Sequence, residues 1–349
     1  MTLKRFTLSL FTPLVAISAP VLAEQAEVKQ NPLRSCVMER FENARGDLTL
    51  KELRVLCNKD LQFKDELTKI SVQQNKDIKL GVISRRILTE KETEFNPYVI
   101  TPHKINYILP AYSTSAINIR AYDSIESYED NLSDVEAHFQ LSFKVPLNHR
   151  KLLIPGDGLY LGFTLKAWWQ IYSRNISKPF RETNYKPELF YLAPLDWHPF
   201  GGNTGFTVGI EHESNGKSKE YSRSWNRIFG SFLFEKDQFA LSFKPWIRLA
   251  EDKKRYPLDP SGDDNPDIED YLGKFELGMV YKWDSIEFSV LGRQNFKTKY
   301  GAAELGITFP LWGKLRGYAT AFTGYGDSLI DYNYRQTRFG LGVALTNVL

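Results

Sequence analysis

From about Ile105 onward, apolar side chains recur at every second position, in one short segment after another. Phe239, Leu241, Phe243, Pro245, Ile247 and Leu249 alternate with Ala240, Ser242, Lys244, Trp246 and Arg248. Val135, Ala137, Phe139, Leu141, Phe143, Val145 and Leu147 alternate with Glu136, His138, Gln140, Ser142 and Lys144. A period of two belongs to a β-strand, whose successive side chains leave opposite faces. The pattern returns at 159–171, 275–281, 286–290, 303–309 and 339–345, and more weakly at 104–113, 183–194 and 314–325. With 203–214 and 222–235 it gives twelve strands.

Such strands make a sheet with one greasy and one charged face. The start of the chain suggests where the greasy face goes. Lys4 and Arg5 precede a mostly apolar run from Phe6 to Ile17, and Val21-Leu22-Ala23 fits a cleavage site, so 1–23 reads as a signal peptide. Pro13 and Pro20 interrupt the run and argue against a retained anchor. No later run of 18 or more apolar residues exists to make a transmembrane helix. The chain is nevertheless rich in aromatics, with 18 Tyr and 23 Phe. Its mean hydropathy is -0.37, too low for a helical membrane protein. Together these features predict an all-β fold, a twelve-stranded antiparallel transmembrane β-barrel in a bacterial outer membrane. Short turns near 235–238, 283–284 and 312–314 alternate with longer polar loops at 174–182, 215–221, 251–269, 294–299 and 325–333. An even number of strands that starts and ends in the periplasm puts 215–221 outside. A twelve-stranded soluble sandwich is the alternative, but its strands would be shorter.

Residues 24–100 are charged and lack alternation, and read as a periplasmic N-terminal extension with a short helix within 39–60. The barrel is expected over 101–349. Cys36 and Cys57 both fall in the extension. Export permits a disulfide between them, the reading favoured over two free thiols. The net charge of +3 is small and nothing resembles a nucleic-acid-binding module.

One hairpin concentrates the reactive groups. His212 and Ser214 are two apart in a strand pattern and therefore share a face, the apolar one that carries Phe206, Val208 and Ile210. A hairpin symmetric about Lys219 sets Asn226 opposite His212, where cross-strand Cβ atoms lie roughly 4.5–5.5 Å apart. A nucleophile, a base and an orienting amide would then share one surface, as acyl transfer requires. In a barrel that surface faces lipid. Each residue alone has a plainer reading: a surface serine or asparagine is usually a hydrogen-bonding group, and a lone interfacial histidine is usually structural. Solvation alone explains an aspartate in the acidic stretch Asp259–Asp267. His103, His138, His149 and His198 show no metal-binding spacing and receive no role.

The sequence resembles outer-membrane phospholipase A, a family of calcium-dependent bacterial lipid hydrolases. The resemblance rests on His212-Glu213-Ser214-Asn215-Gly216, Ser222-Arg223-Ser224-Trp225-Asn226-Arg227, Pro179-Phe180-Arg181-Glu182-Thr183-Asn184-Tyr185, Asp264-Asn265-Pro266-Asp267 and Ser328-Leu329-Ile330-Asp331-Tyr332-Asn333. It implies a triad of Ser214 as nucleophile, His212 as base and Asn226 as orienter. The oxyanion of such a reaction needs donors, for which the Gly216 N–H and a calcium-polarised water are the candidates. The resemblance also implies Ca2+ held by the Ser222 hydroxyl and the Lys217 carbonyl, with Ser177 supplied from a second subunit and Asp264 as a further ligand in the monomer. Lys217 stands where arginine is expected, which a carbonyl ligand tolerates. Leu165 stands where the family can carry glutamine at the dimer face. The implied activity is hydrolysis of acyl esters of phospholipids and lysophospholipids at the outer leaflet, switched on by reversible homodimerisation. The competing readings are a non-enzymatic porin or adhesin, and an esterase for lipopolysaccharide acyl chains.

Overall fold

The computed structural model describes residues 32–43, 49–58, 80–91, 93, 96, 99–128, 130–148, 150–256, 259 and 261–346. The expected signal peptide and His149 lie outside these residues. The chain divides into two compact units, Met1–Gln74 and Asn75–Leu349.

In the first unit, a helix spans Pro32–Asn43 and residues 50–58 form a second one. Helical structure therefore begins upstream of the expected 39–60 segment. The second helix starts at a Thr-x-x-Glu box: Thr49 N donates to Glu52 Oε2 at 2.9 Å, and Glu52 N returns a bond to Thr49 Oγ1 at 3.4 Å. Cys36 and Cys57 are joined in a disulfide, and Val37 and Leu53 pack beside it.

The second unit is built on thirteen strands: β1 Thr101–Pro102, β2 Tyr107–Thr114, β3 Val135–Pro146, β4 Gly158–Trp169, β5 Phe180–Leu195, β6 Asn203–Ser214, β7 Ser224–Lys236, β8 Phe239–Leu249, β9 Phe275–Trp283, β10 Ile286–Gln294, β11 Gly301–Trp312, β12 Leu315–Tyr325 and β13 Arg335–Ala344. Each strand from β2 to β13 pairs antiparallel with the next, and β13 pairs back onto β2, Phe339 facing Ser113. Twelve strands thus close into a barrel with no open edge, the arrangement that satisfies every backbone group within a bilayer. The two-residue β1 extends the β2 edge along β3, with Thr101 opposite Lys144.

The two ends differ. At one end β7–β8, β9–β10 and β11–β12 are joined by two-residue turns, with Asp237, Asp284 and Gly313 at positive φ. Long loops connect β2–β3, β4–β5, β6–β7, β8–β9 and β12–β13 at the other end. The outer wall is apolar and exposed at Val208, Ile210, Ile228, Ile247, Leu305 and Leu341. Trp197, Trp283 and Trp312 ring the short-turn end, while Trp169, Phe180 and Phe296 ring the long-loop end, as in the aromatic girdles of membrane barrels.

The inner face is polar and paired. Lys244 Nζ lies 2.7 Å from Glu211, Arg227 reaches Glu211 at 2.9 Å and Glu213 at 2.7 Å, and His103 Nε2 lies 2.8 Å from Glu188. Buried charges persist only when partnered in this way. A cavity of about 410 Å³ remains inside the barrel, lined by groups such as Lys166, Glu276, Glu304 and Asp327.

A helix at Val82–Lys91 belongs to the same unit and is tied to the short-turn end. Glu235 at the end of β7 accepts the N–H groups of Ile83 and Ser84 at 2.5 and 3.0 Å. A carboxylate there satisfies orphan donors of the first turn and opposes the helix dipole. This helix thus clusters with the strands in the unit Asn75–Leu349.

Candidate active site

β6 and β7 form one hairpin in the register that the sequence suggests. Glu211 faces Arg227, His212 faces Asn226 and Ser214 faces Ser224. Glu211 and Arg227 are buried on the inside. His212, Ser214 and Asn226 have the opposite parity and share the outer wall with exposed Val208, Ile210 and Ile228. His212 Nδ1 lies 2.8 Å from Asn226 Oδ1. An amide oxygen only accepts, so the bond requires a proton on Nδ1 and leaves Nε2 with its lone pair, the form a general base needs.

The loop after Ser214 is held by Asn215. This buried side chain accepts the Arg223 N–H at 3.0 Å and the Lys217 N–H at 3.3 Å, and donates to the Tyr221 carbonyl at 2.8 Å. The next residue, Gly216, has φ +65, which glycine adopts without strain. A Cβ added there would come within 3.1 Å of the Tyr185 ring, and Tyr185 is itself the β5 partner of Ser214. A turn at positive φ thus follows Ser214 directly, with the Tyr185 ring beside it.

The expected calcium ligands are only partly gathered. Ser222 Oγ donates to Asp264 Oδ2 at 2.5 Å, which brings the β6–β7 loop to the β8–β9 loop. Lys254 Nζ lies 2.5 Å from the other Asp264 oxygen. Lys217 turns its ammonium to the Arg181 carbonyl at 2.5 Å and to Glu182 at 3.1 Å, so only its main chain remains free for a ligand role. Ser177 stands exposed on the β4–β5 loop, 170–179, while the Ser222 hydroxyl bonds to Asp264. Hydroxyl, carboxylate and carbonyl oxygens are the donor set that suits a hard divalent cation. Lys254 already pairs with Asp264, so a divalent cation bound by this carboxylate would have to displace that ammonium.

Several residues that alternation does not mark build the frame. Arg181, at the start of β5, pairs with Glu136 at 2.9 Å and with Asp331 at 2.9 Å, all three fully buried. Arg338 reaches the same Glu136 at 2.8 Å. Asn184 Oδ1 accepts the Leu329 N–H at 2.9 Å, Asn265 Oδ1 accepts the Ser224 N–H at 3.0 Å, and the Tyr332 hydroxyl donates to Asp267 at 2.6 Å. The sequence blocks around 181–184, 212–226, 264–267 and 328–333 therefore converge on one cluster at the long-loop end, around the hairpin tip. The Asn-Gly pair at 215–216 was the available sequence signal for the loop clamp. The remaining contacts join segments far apart in the chain, and although most of their residues stand in the blocks that carry the family resemblance, no local spacing says which meets which.

The fold and this cluster define a class: a membrane-spanning β-barrel with a serine, a histidine and an asparagine assembled on its lipid-facing wall. The phospholipase A1 family profile matches residues 83–345. The chain is 38% identical to phospholipase A1 of Escherichia coli K12 over 270 residues, 77% of this chain and 88% of that protein. It is 37% identical to phospholipase A1 of Salmonella typhimurium over the same shares. The solved outer membrane phospholipase A of Escherichia coli superposes with a TM-score of 0.69 at 36% identity, covering 75% of this chain and 98% of that one. The Salmonella typhi outer membrane phospholipase, solved as a dimer with bound calcium, gives the same figures. The chain belongs to the phospholipase A1 family, and is an enzyme of that family in the bacterial outer membrane.

Proposed function

We propose that this protein hydrolyses acyl ester bonds of phospholipids and lysophospholipids, with both A1- and A2-type cleavage, using Ser214, His212 and Asn226, and that calcium and homodimerisation activate it at the outer leaflet. The observation that carries this reading is the 2.8 Å bond between His212 and Asn226 on the lipid-facing side, two residues from Ser214.

In the proposed reaction the Ser214 hydroxyl attacks the ester carbonyl while His212 Nε2 takes its proton. The tetrahedral oxyanion collapses, the C–O bond of the leaving lysolipid breaks, and His212 returns the proton to that oxygen. Water then repeats the sequence on the acyl-serine and releases the fatty acid. Asn226 holds the Nδ1–H tautomer without adding a charge, which suits an apolar surface better than an aspartate. The Gly216 N–H would donate to the oxyanion. The Ser222 hydroxyl, the Asp264 carboxylate and the Lys217 carbonyl would hold calcium, with Ser177 joining from a second copy. When bound, the ion would add positive charge near the developing oxyanion.

A lone barrel wall offers no cleft for an acyl chain. The internal cavity is no substitute, since none of Ser214, His212 and Asn226 lines it. A second barrel against Leu161, Phe163 and Leu165 would create the missing groove. Assays on defined phospholipids, with calcium and with chelator, on the parent protein and Ser214→Ala, test the whole reading. Hydrolysis surviving in Ser214→Ala would end it.

A further inference from the structure

Asn226 has a second partner. Its Nδ2 donates to Glu251 Oε1 at 3.1 Å, while its Oδ1 meets His212. β8 pairs with β7 so that Leu249 lies opposite Asn226, and Glu251 follows two residues later on the extended chain. Three neighbouring strands thus place His212, Asn226 and Glu251 in one row across the outer wall. The segment after β8 is anchored: Asp263 N donates to the Asp252 carbonyl at 2.8 Å, and Arg248 pairs with Asp263 at 2.6 Å.

We propose that Glu251 is a positioning residue that fixes the amide of Asn226 and, through it, the tautomer of His212. The proposal rests on the triad reading above. The physical reason lies in what each group can do. A side-chain amide has two nearly isosteric ends and can turn over. Turned over, Asn226 would aim its NH2 at Nδ1, favour the proton on Nε2 and remove the base. An ionised carboxylate accepts and cannot donate. Glu251 therefore admits only the orientation with NH2 towards itself and oxygen towards His212. A charged acceptor also gives the stronger bond. Its negative charge sits one amide away from the imidazole, where it favours the imidazolium formed during attack without placing a carboxylate against the ring.

Glu251→Gln tests this, because glutamine keeps the size and the hydrogen bond but presents either a donor or an acceptor. Variants are measured in mixed micelles of phospholipid with calcium, after their folded barrels are confirmed by heat-modifiable migration on gels. Glu251→Gln should lower kcat about tenfold with KM unchanged, less than the ~10²–10⁴-fold that general-base catalysis supplies, because the base itself remains. Glu251→Asp should recover part of that loss. In an Asn226→Ala background, Glu251→Gln should cost nothing further, since the amide it orients is gone. Parent kcat in Glu251→Gln, or an undiminished loss in the Asn226→Ala background, would overturn the proposal. Ser214→Ala, run alongside, separates the two claims. An inactive Ser214→Ala beside a fully active Glu251→Gln defeats only the role of Glu251, whereas an active Ser214→Ala defeats the triad beneath it.

Discussion

His212 and Asn226 face each other across the β6–β7 hairpin, Nδ1 to Oδ1 at 2.8 Å, on the wall that the barrel turns towards lipid. The pair lies on the opposite face from the charged interior network and one residue along from it: Glu211 and Arg227, their neighbours in the chain, face each other inside. The same two strands therefore serve two separate chemistries, one per face.

Loss of the nucleophile should be total. Ser214→Ala should abolish phospholipid hydrolysis while leaving a heat-modifiable barrel, because the hydroxyl lies on the outer face and takes no part in the buried ion pairs. Fatty-acid release measured beside gel mobility checks both halves.

Asn226→Ala should be milder. The base remains and only its orientation suffers, so kcat should fall by less than the ~10²–10⁴-fold contributed by general-base catalysis. A loss as complete as that of Ser214→Ala would mean that the amide does more than orient.

Calcium should be required. Excess chelator should stop hydrolysis, and Ser222→Leu or Ser177→Leu should raise the calcium needed for half-maximal activity. Ser222 is the more informative site, since its hydroxyl is already aligned on Asp264 at 2.5 Å. Full activity in chelator would remove the metal from the reading.

Activity should follow the dimer. Sedimentation in detergent, run at the concentrations used for assay, should show specific activity rising with the dimer fraction, and the dimer strengthening with calcium and substrate. Full activity where only monomer sediments would contradict this.

The short-turn end should weaken in strong acid. Asp157, in the β3–β4 connection, accepts N–H bonds from Leu152, Leu153 and Ile154 at 2.9, 2.6 and 2.9 Å and the Tyr191 hydroxyl at 2.8 Å. Burial alone would raise its pKa, but these donors outweigh it and hold the carboxyl at about 2, below the ordinary 3.8. A depressed carboxylate stabilises the folded state above its ordinary pKa, and that contribution disappears as pH falls from there through about 2. Asp157→Asn should remove this component, seen as a smaller loss of denaturant resistance between pH 5 and pH 2 than in the parent, a window of about three pH units around the two pKa values.

What the sequence determined by itself was everything that depends on local spacing. The period of two gave the strands and their count. The i, i+2 relation put His212 and Ser214 on one face, and the hairpin's symmetry set Asn226 opposite His212, because register within a hairpin follows from its turn. Tertiary structure decided what spacing cannot encode. Arg181 meets Asp331 across 150 residues of chain, Ser222 meets Asp264 across 42, and Asn226 meets Glu251 through the pairing of β7 with β8. These contacts exist only once the barrel closes and its long loops fold over one end, and loops carry no periodicity from which their partners can be read. The Val82–Lys91 helix is the same case: its membership in the barrel unit comes from Glu235 holding its first turn, about 150 residues further along the chain. The N-terminal disulfide lies between these extremes. Its two cysteines were visible at once, but only two helices packed side by side bring Cys36 and Cys57 to a Cα separation of 5.9 Å, within bonding reach.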